Sequence, residues 1–301
     1  MTIDDLSESG IQRIADASPY FEHLSDMAQL IGESGREDLA RLERCLHEEW
    51  RLGQNTILSW ARVDDGVLVL VVPNYAIADA TSRPDDSQQP RLPASFVIRL
   101  ISGRRQLLPE QMGEIARLFE SEPVHIKLKK PISDSETETQ IVERMVRRYG
   151  VNYVASRAVT LFDIVGFGLL TPFEQMTQLN SLSYSLNWAL SKMLEQDVSI
   201  NFARTSTGDG FYVWNRDGGL EANVNLYHFM HIVLADNALA RTKSSSRAVP
   251  FLRACFHVGS CYEFHQSEGL NPTMHDFIVG DVTIELARMI DAALPGQILV
   301  G

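Results

Sequence analysis

The chain has 301 residues, 45% apolar and 22% charged, which fits two globular domains of ordinary size and excludes a disordered or fibrous protein. Its 27 Lys and Arg against 39 Asp and Glu give a formal charge of −12. With no basic stripe to displace counterions, this argues against nucleic acid as a partner. The longest apolar runs, such as Val67 to Val72, fall far short of the about 20 residues a membrane helix needs. The start, Met-Thr-Ile-Asp-Asp, has no basic leader, so the expectation is a cytoplasmic chain without a membrane partner. Cys45, Cys255 and Cys261 lack CxxC spacing and read as reduced thiols.

Residues 1–132 are expected to form an N-terminal α/β or α+β domain without a chemical motif. Helices are predicted from Ile11 to Ile31 and from Arg36 to Trp50, divided by Gly32-Glu33-Ser34-Gly35. Strands follow at Thr56 to Val63 and Val67 to Val72, turning through Asp64-Asp65-Gly66. Asp79 to Pro93 reads as a loop, Ser95 to Ile101 as a strand, Pro109 to Glu120 as a helix and Val124 to Lys129 as a strand. Lys127, Lys129 and Lys130 interleave with Ile126 and Leu128, so they read as the solvent face of that strand rather than an anion site. Residues 133–150 form a connecting helix with Ile141, Met145 and Tyr149 on one face; a coupling element and a plain linker both stay open.

From Val151 onward the pattern changes. Val159 to Phe167 is an apolar run with one carboxylate near its end, a buried strand that delivers Asp163 to the rim of a sheet. Gly166 and Gly168 then allow the chain to turn its N–H groups toward a ligand, and Thr171-Pro172-Phe173-Glu174 is a capping box with proline at the first helical position. A helix with Phe173, Met176, Leu179, Leu182, Leu186, Leu190 and Leu194 near one face leads to two strands, Ser199 to Thr205 and Phe211 to Trp214. Their connection, Thr207-Gly208-Asp209-Gly210, puts a second carboxylate on a hairpin tip. Strand and hairpin side by side would bring Asp163 and Asp209 to one rim, an arrangement that suits two Mg²⁺ ions about 3.5 to 4 Å apart.

Leu220 to Ala240 reads as a second long helix with Val224, Tyr227, Met230, Ile232 and Leu234 toward the core; His228 and His231 read as core or surface residues. Arg241 to Arg247 reads as a solvated basic loop in preference to a triphosphate contact. Arg253, alternating with Leu252 and Ala254 in a strand, reaches toward phosphate. The helix Asp281 to Ala293 sets Ile284 and Arg288 at i and i+4, and Pro295-Gly296 turns into a last strand, Gln297 to Val300.

Phe162-Asp163-Ile164-Val165-Gly166-Phe167, Gly208-Asp209-Gly210-Phe211, Arg253 to Gly259, Gly280-Asp281 with Ala287-Arg288-Met289, and Pro295-Gly296-Gln297-Ile298-Leu299-Val300 together resemble, in order, the catalytic domain of class III nucleotide cyclases, from about residue 151 to 301. The resemblance implies a ferredoxin-like, palm-type α+β domain of antiparallel sheet with flanking helices. It implies two Mg²⁺ or Mn²⁺ ions at Asp163, Ile164 and Asp209, and phosphate held by N–H groups of Ile164, Val165, Gly166, Phe167 and Gly168. Arg288 takes the place of the arginine that steadies the transition state, and the family's asparagine four residues earlier is Ile284 here. The base-reading positions fall on Thr205 and Phe277, with Arg204 and Asp276 one residue away. Thr205 and Phe277 do not match the family's purine-reading pair, whereas Arg204 and Asp276 would restore a cation and an anion there, so a pyrimidine triphosphate stays open beside a purine, as in cyclases of antiphage signalling. The implied product is a 3′,5′-cyclic nucleotide plus pyrophosphate, made by a head-to-tail homodimer; the family's domain also continues past the last strand seen here. A degenerate, nucleotide-binding or regulatory dimerisation module is the alternative, while diguanylate cyclase and polymerase palms lack their acidic signature in this chain.

Overall fold

The computed structural model describes residues 33–82, 92–198, 200–244, 247–267 and 274–301. The helix predicted at Ile11 to Ile31 lies outside them. The chain divides into two compact units, Met1–Asn152 with Phe264–His275, and Tyr153–Glu263 with Asp276–Gly301.

In the first unit, β1 (Asn55–Val63), β2 (Gly66–Pro73) and β3 (Val124–Lys127) form an antiparallel sheet in that order. One face is covered by α1 (Glu33–Trp50), which begins at the Glu33-Ser34-Gly35 stretch expected to be a break. α2 (Asn74–Thr81) runs into the stretch expected to be a loop, of which residues 83–91 are not among the described ones. The expected strand at Ser95 to Ile101 is instead a helix, α3 (Ala94–Ser102). Its run of apolar residues fits either period, but Val97 and Ile101 are buried one helical turn apart, and Pro93 sets the extended entry. α4 (Pro109–Leu118) follows, and α5 (Glu136–Arg148) occupies the predicted connecting stretch. α5 buries Ile141, Val142, Met145 and Val146 against the α1 face of this sheet.

The second unit is a six-stranded sheet with helices on both faces, an α+β architecture. The strands are β4 (Asn152–Ile164), β5 (Phe202–Ser206), β6 (Gly210–Asn215), β7 (Leu252–Ser267), β8 (Met274–Val279) and β9 (Ile298–Val300), and the path across the sheet is β5-β6-β4-β7-β8. β9 pairs parallel to β7, matching Ala254 with Ile298. α6 (Pro172–Leu194) and α7 (Leu220–Lys243) cover the face carrying Phe162, Val213 and Ala254; α8 (Asp281–Ala292) covers the face carrying Leu161, Trp214 and Cys255.

Alternation along β4 therefore sends Phe162 and Ile164 to one core and Val159 and Leu161 to the other, and Asp163 shares the α8 side. The long helices bury the expected stripes in part. α6 turns Leu182 and Leu186 inward with Ala189 and Met193, packs Leu179 and Leu190 against the same core, and leaves Phe173, Met176 and Leu194 exposed. α7 buries Met230 as expected, with Leu226, Phe229 and Val233, and packs Ile232 and Leu234 against the core, while Val224 and Tyr227 are partly exposed. Apolar residues surround both helices, so helical spacing alone did not single out the inner face. Among the described residues no helix is long and apolar enough to cross a membrane.

The end of β4 away from Asp163 is held by a buried charge. The Arg157 guanidinium donates to Glu263 Oε1 at 2.5 Å, to the carbonyls of Asn215 and Asp217 at 2.6 and 2.5 Å, and to that of Arg216 at 3.0 Å. Burial pushes the Glu263 carboxyl up while Arg157 pulls it down. Removing only the cation leaves an acid without compensation, so Arg157→Met is expected to cost about 3–5 kcal/mol in urea unfolding. Arg157→Met combined with Glu263→Gln should recover part of that loss, whereas strictly additive costs would show that the pair is not coupled.

Candidate active site

The site is built by strand register. β4 and β6 are antiparallel with Asp163 opposite Gly210, so the residue before Gly210 must emerge beside the end of β4. The Ile164 N–H donates to the Asp209 carbonyl at 3.1 Å and fixes the tip there. Gly210 is required by contact: a Cβ would stand 1.9 Å from the Phe162 carbonyl oxygen. The Thr207 hydroxyl donates to Asp209 Oδ1 at 3.3 Å, and the N–H of Thr207 to the Gly210 carbonyl at 3.0 Å, which completes the turn.

Asp163 is buried, yet it is an acid facing another acid. Burial raises its pKa most; Arg253 opposes this by hydrogen bond and charge; the Asp209 carboxylate, within hydrogen-bonding reach, raises it again. Arg253, whose reach toward phosphate was the expectation, donates its Nε to Asp163 Oδ2 at 2.7 Å and its Nη1 to the Ala293 carbonyl at 3.0 Å. This partnership was hidden in the sequence, because a strand's alternation places Arg253 on a face without naming its neighbour 90 residues away.

Among the described residues no group of three or more His, Cys, Asp or Glu is placed to hold a metal. Two carboxylates nonetheless fit Mg²⁺ or Mn²⁺, hard ions that commonly take one or two acids and fill their shell with water and phosphate oxygen. Burial lifts Asp163 most and the neighbouring Asp209 charge adds to it, and that added repulsion is the part such an ion would relieve.

Beyond Ile164 the chain turns at Gly166, whose φ of 71° is left-handed, into one 3₁₀ turn over Phe167–Leu169. Of the five N–H groups expected to cradle phosphate, Ile164 donates to Asp209 and Val165 donates to the Phe251 carbonyl at 2.8 Å. Gly166, Phe167 and Gly168 remain for a ligand. The Thr171 cap forms as predicted, with Glu174 accepting from the Thr171 N–H at 2.9 Å. That carboxylate therefore occupies the helix start.

The remaining expected residues are more scattered. Arg204 donates to Ser183 Oγ at 2.9 Å and stacks on Phe211 at 5.1 Å, on the α6 side and so across the sheet from Asp163. Thr205, one residue on, alternates to the Asp163 side, opposite Tyr212. Asp276 pairs with Arg216, not with Arg204, and Phe277 is half-buried in β8. On α8, Ile284 is about half exposed and Arg288 is 72% exposed, its guanidinium 2.9 Å from Glu285.

No protein-family profile matches the chain, and no curated protein does. Among the solved structures it resembles are nucleotide cyclase domains. They include the guanylate cyclase domain of RhGC from Catenaria anguillulae in complex with GTP, at 14% identity over 49% of this chain and 79% of that one, TM-score 0.39. The monomeric guanylyl cyclase domain of the RhoGC fusion protein from Blastocladiella emersonii matches at 16% identity over 50% and 83%, TM-score 0.39. The adenylyl cyclase CyaB from P. aeruginosa matches at 17% identity over 50% and 78%, TM-score 0.37. The likeness is one of fold over half the chain, and the chemistry rests on this chain's own side chains.

The Asp163–Arg253 pair makes a pH-dependent prediction. Asp163 has a raised folded pKa, so its contribution is fully present below the ordinary value of 3.8 and is lost as pH rises through the folded value. Above that point Asp163 is ionised and Arg253 offsets its cost. The loss of melting temperature in Arg253→Gln should therefore be larger at neutral pH than near pH 4, and Asp163→Asn should abolish the difference. An equal loss at both pH values would show that the pair is electrostatically idle.

Proposed function

We propose that the second unit is a nucleotidyl cyclase domain that converts a nucleoside triphosphate to a 3′,5′-cyclic nucleotide and pyrophosphate. The observation that carries this reading is the convergence of Asp163 and Asp209 through the Asp163–Gly210 register. Asp163, Asp209 and the Ile164 carbonyl would hold Mg²⁺ or Mn²⁺, which would lower the pKa of the attacking hydroxyl and neutralise phosphate charge.

The chain's own groups supply the rest. The N–H groups of Gly166, Phe167 and Gly168, at the turn made by the left-handed Gly166, bind phosphate oxygens. The ribose 3′-oxygen forms its bond to the α-phosphorus in line, the bond to the bridging oxygen breaks, and pyrophosphate leaves with that electron pair; the hydroxyl proton passes to solvent. Arg288 steadies charge growing on the α-phosphate. Its exposure suits donation to a second copy's acid rim, which makes the active unit a head-to-tail homodimer. Thr205 is the base-reading candidate on the acid side, and the base remains open between purine and pyrimidine.

Ile284 supports a second reading. An apolar side chain where a donor is expected, half exposed on the helix of Arg288, suits a nucleotide-binding module without turnover.

Purified protein with Mn²⁺ and each of ATP, GTP, CTP and UTP should release pyrophosphate and a cyclic product from at least one, and Asp209→Asn should fall to background. Tight nucleotide binding with no product from any of the four would establish the second reading instead. Donation of Arg288 is tested by mixing two inactive variants, Asp209→Asn and Arg288→Ala. One intact site in half of randomly mixed dimers should restore about a quarter of wild-type activity; no recovery would place Arg288 at its own chain's acids, and an Arg288→Ala variant that stays active would put it outside the reaction.

A further inference from the structure

A cavity of about 280 Å³ lies in the second unit between the ends of α6 and α7 and the entry to β7. Its polar lining comes from Gln178, Arg241, Ser244 and Arg247, with Val165 and Phe251 among its apolar walls. Three features point to an anionic occupant. First, no ion pair joins Arg241 or Arg247 to a carboxylate among the described residues, in a chain whose acids outnumber its Lys and Arg by 39 to 27. The acid that feels Arg247 is Glu174, which is committed to capping Thr171. Second, Arg241 is pre-positioned. Its guanidinium carbon lies 4.0 Å from the centre of the Phe251 ring, a cation–π contact that restrains the group near the cavity.

Third, Gln178 is an orphan in the wall. Its side chain is 6% exposed and its Nε2 donates to the Arg247 carbonyl at 2.8 Å, which assigns the amide and leaves Oε1 buried without a partner. A buried acceptor without a donor is costly. The pocket thus offers two cations, and Gln178 in its wall carries a buried acceptor that no protein donor reaches. A hydrogen phosphate group complements that set, because its oxygens accept from the arginines while its single P–OH donates to Gln178. A carboxylate or sulfate has no proton to give at neutral pH.

We propose that this cavity is a phosphoryl-binding site, held by Arg241, Arg247 and Gln178 and distinct from the acid rim. It lies on the α6–α7 side of the sheet, whereas Asp163 faces α8, and Val165 joins the two places through its bond to Phe251. The ligand is a phosphate or pyrophosphate group, free or at the end of a bound nucleotide. The site requires no divalent ion and stands whether or not the acid rim turns over substrate.

Pyrophosphate binding is measured by calorimetry in EDTA, which silences any metal-dependent binding at Asp163 and Asp209. Wild type and Asp209→Asn should bind alike. Arg241→Gln and Arg247→Gln, both exposed side chains whose loss leaves the core intact, should each weaken binding about tenfold or more, and the double variant should abolish it. Equal melting temperatures without phosphate certify the fold of each variant. No binding by wild type, or binding unchanged in the double variant, overturns the proposal. With Mn²⁺ and a nonhydrolysable triphosphate present, displacement of pyrophosphate assigns the pocket to the nucleotide's terminal phosphates. Simultaneous binding assigns it to the free anion. Because the first measurement excludes metal, an inactive acid rim would leave its result unaffected.

Discussion

Everything at the acid rim depends on one approach that only glycine permits. Gly210 lies against the Phe162 carbonyl, and any side chain there would have to displace β6 from β4. With β6 displaced, Asp209 would no longer stand beside Asp163. The backbone thus holds two like charges together that would separate if left to themselves; burial raises the Asp163 pKa most, and the Asp209 charge adds to that rise against the pull of Arg253. Such a cost is tolerated where surrounding structure over-determines it. Here it is over-determined by a fully paired hairpin, two apolar cores and the Arg157 anchor at the other end of the strand.

The Arg253 guanidinium is the counter-charge to Asp163, on a strand secured to the end of α8 through Ala293. A divalent ion at the same carboxylate would replace much of that attraction and free the arginine's N–H groups for anionic oxygen. In a chain of net charge −12, a polyphosphate ligand would have to be met by placed cations rather than by overall potential, and Arg253, Arg241 and Arg247 are available near the start of β7.

Much of this was legible in the residues, and the failures have specific causes. Local chemistry read well. The Thr171–Glu174 capping box, the Thr207 to Gly210 tip and the Asp64-Asp65 turn each depend on neighbours within four residues, and each formed where expected. Short apolar runs read badly, since Ser95 to Ile101 satisfies strand and helix alike until tertiary burial of Val97 and Ile101 decides. Long apolar helices showed their existence and part of their inner face, Leu182, Leu186 and Met230 being buried as expected while Phe173 and Tyr227 are not. Partners distant in sequence were invisible: Arg253 with Asp163, Arg157 with Glu263, and Gln178 with the carbonyl of Arg247. The one-residue ambiguity at Arg204 and Thr205 resolves only once strand alternation is tied to a face.

The most direct test is a crystal structure with Mn²⁺ and a nonhydrolysable nucleoside triphosphate, with the metal located by anomalous scattering. Both carboxylates, of Asp163 and of Asp209, should lie within about 2.0–2.6 Å of bound metal, the range for oxygen ligands of hard cations. Metal and phosphates bound elsewhere, with Asp163 still paired to Arg253 and Asp209 facing solvent, would contradict the account.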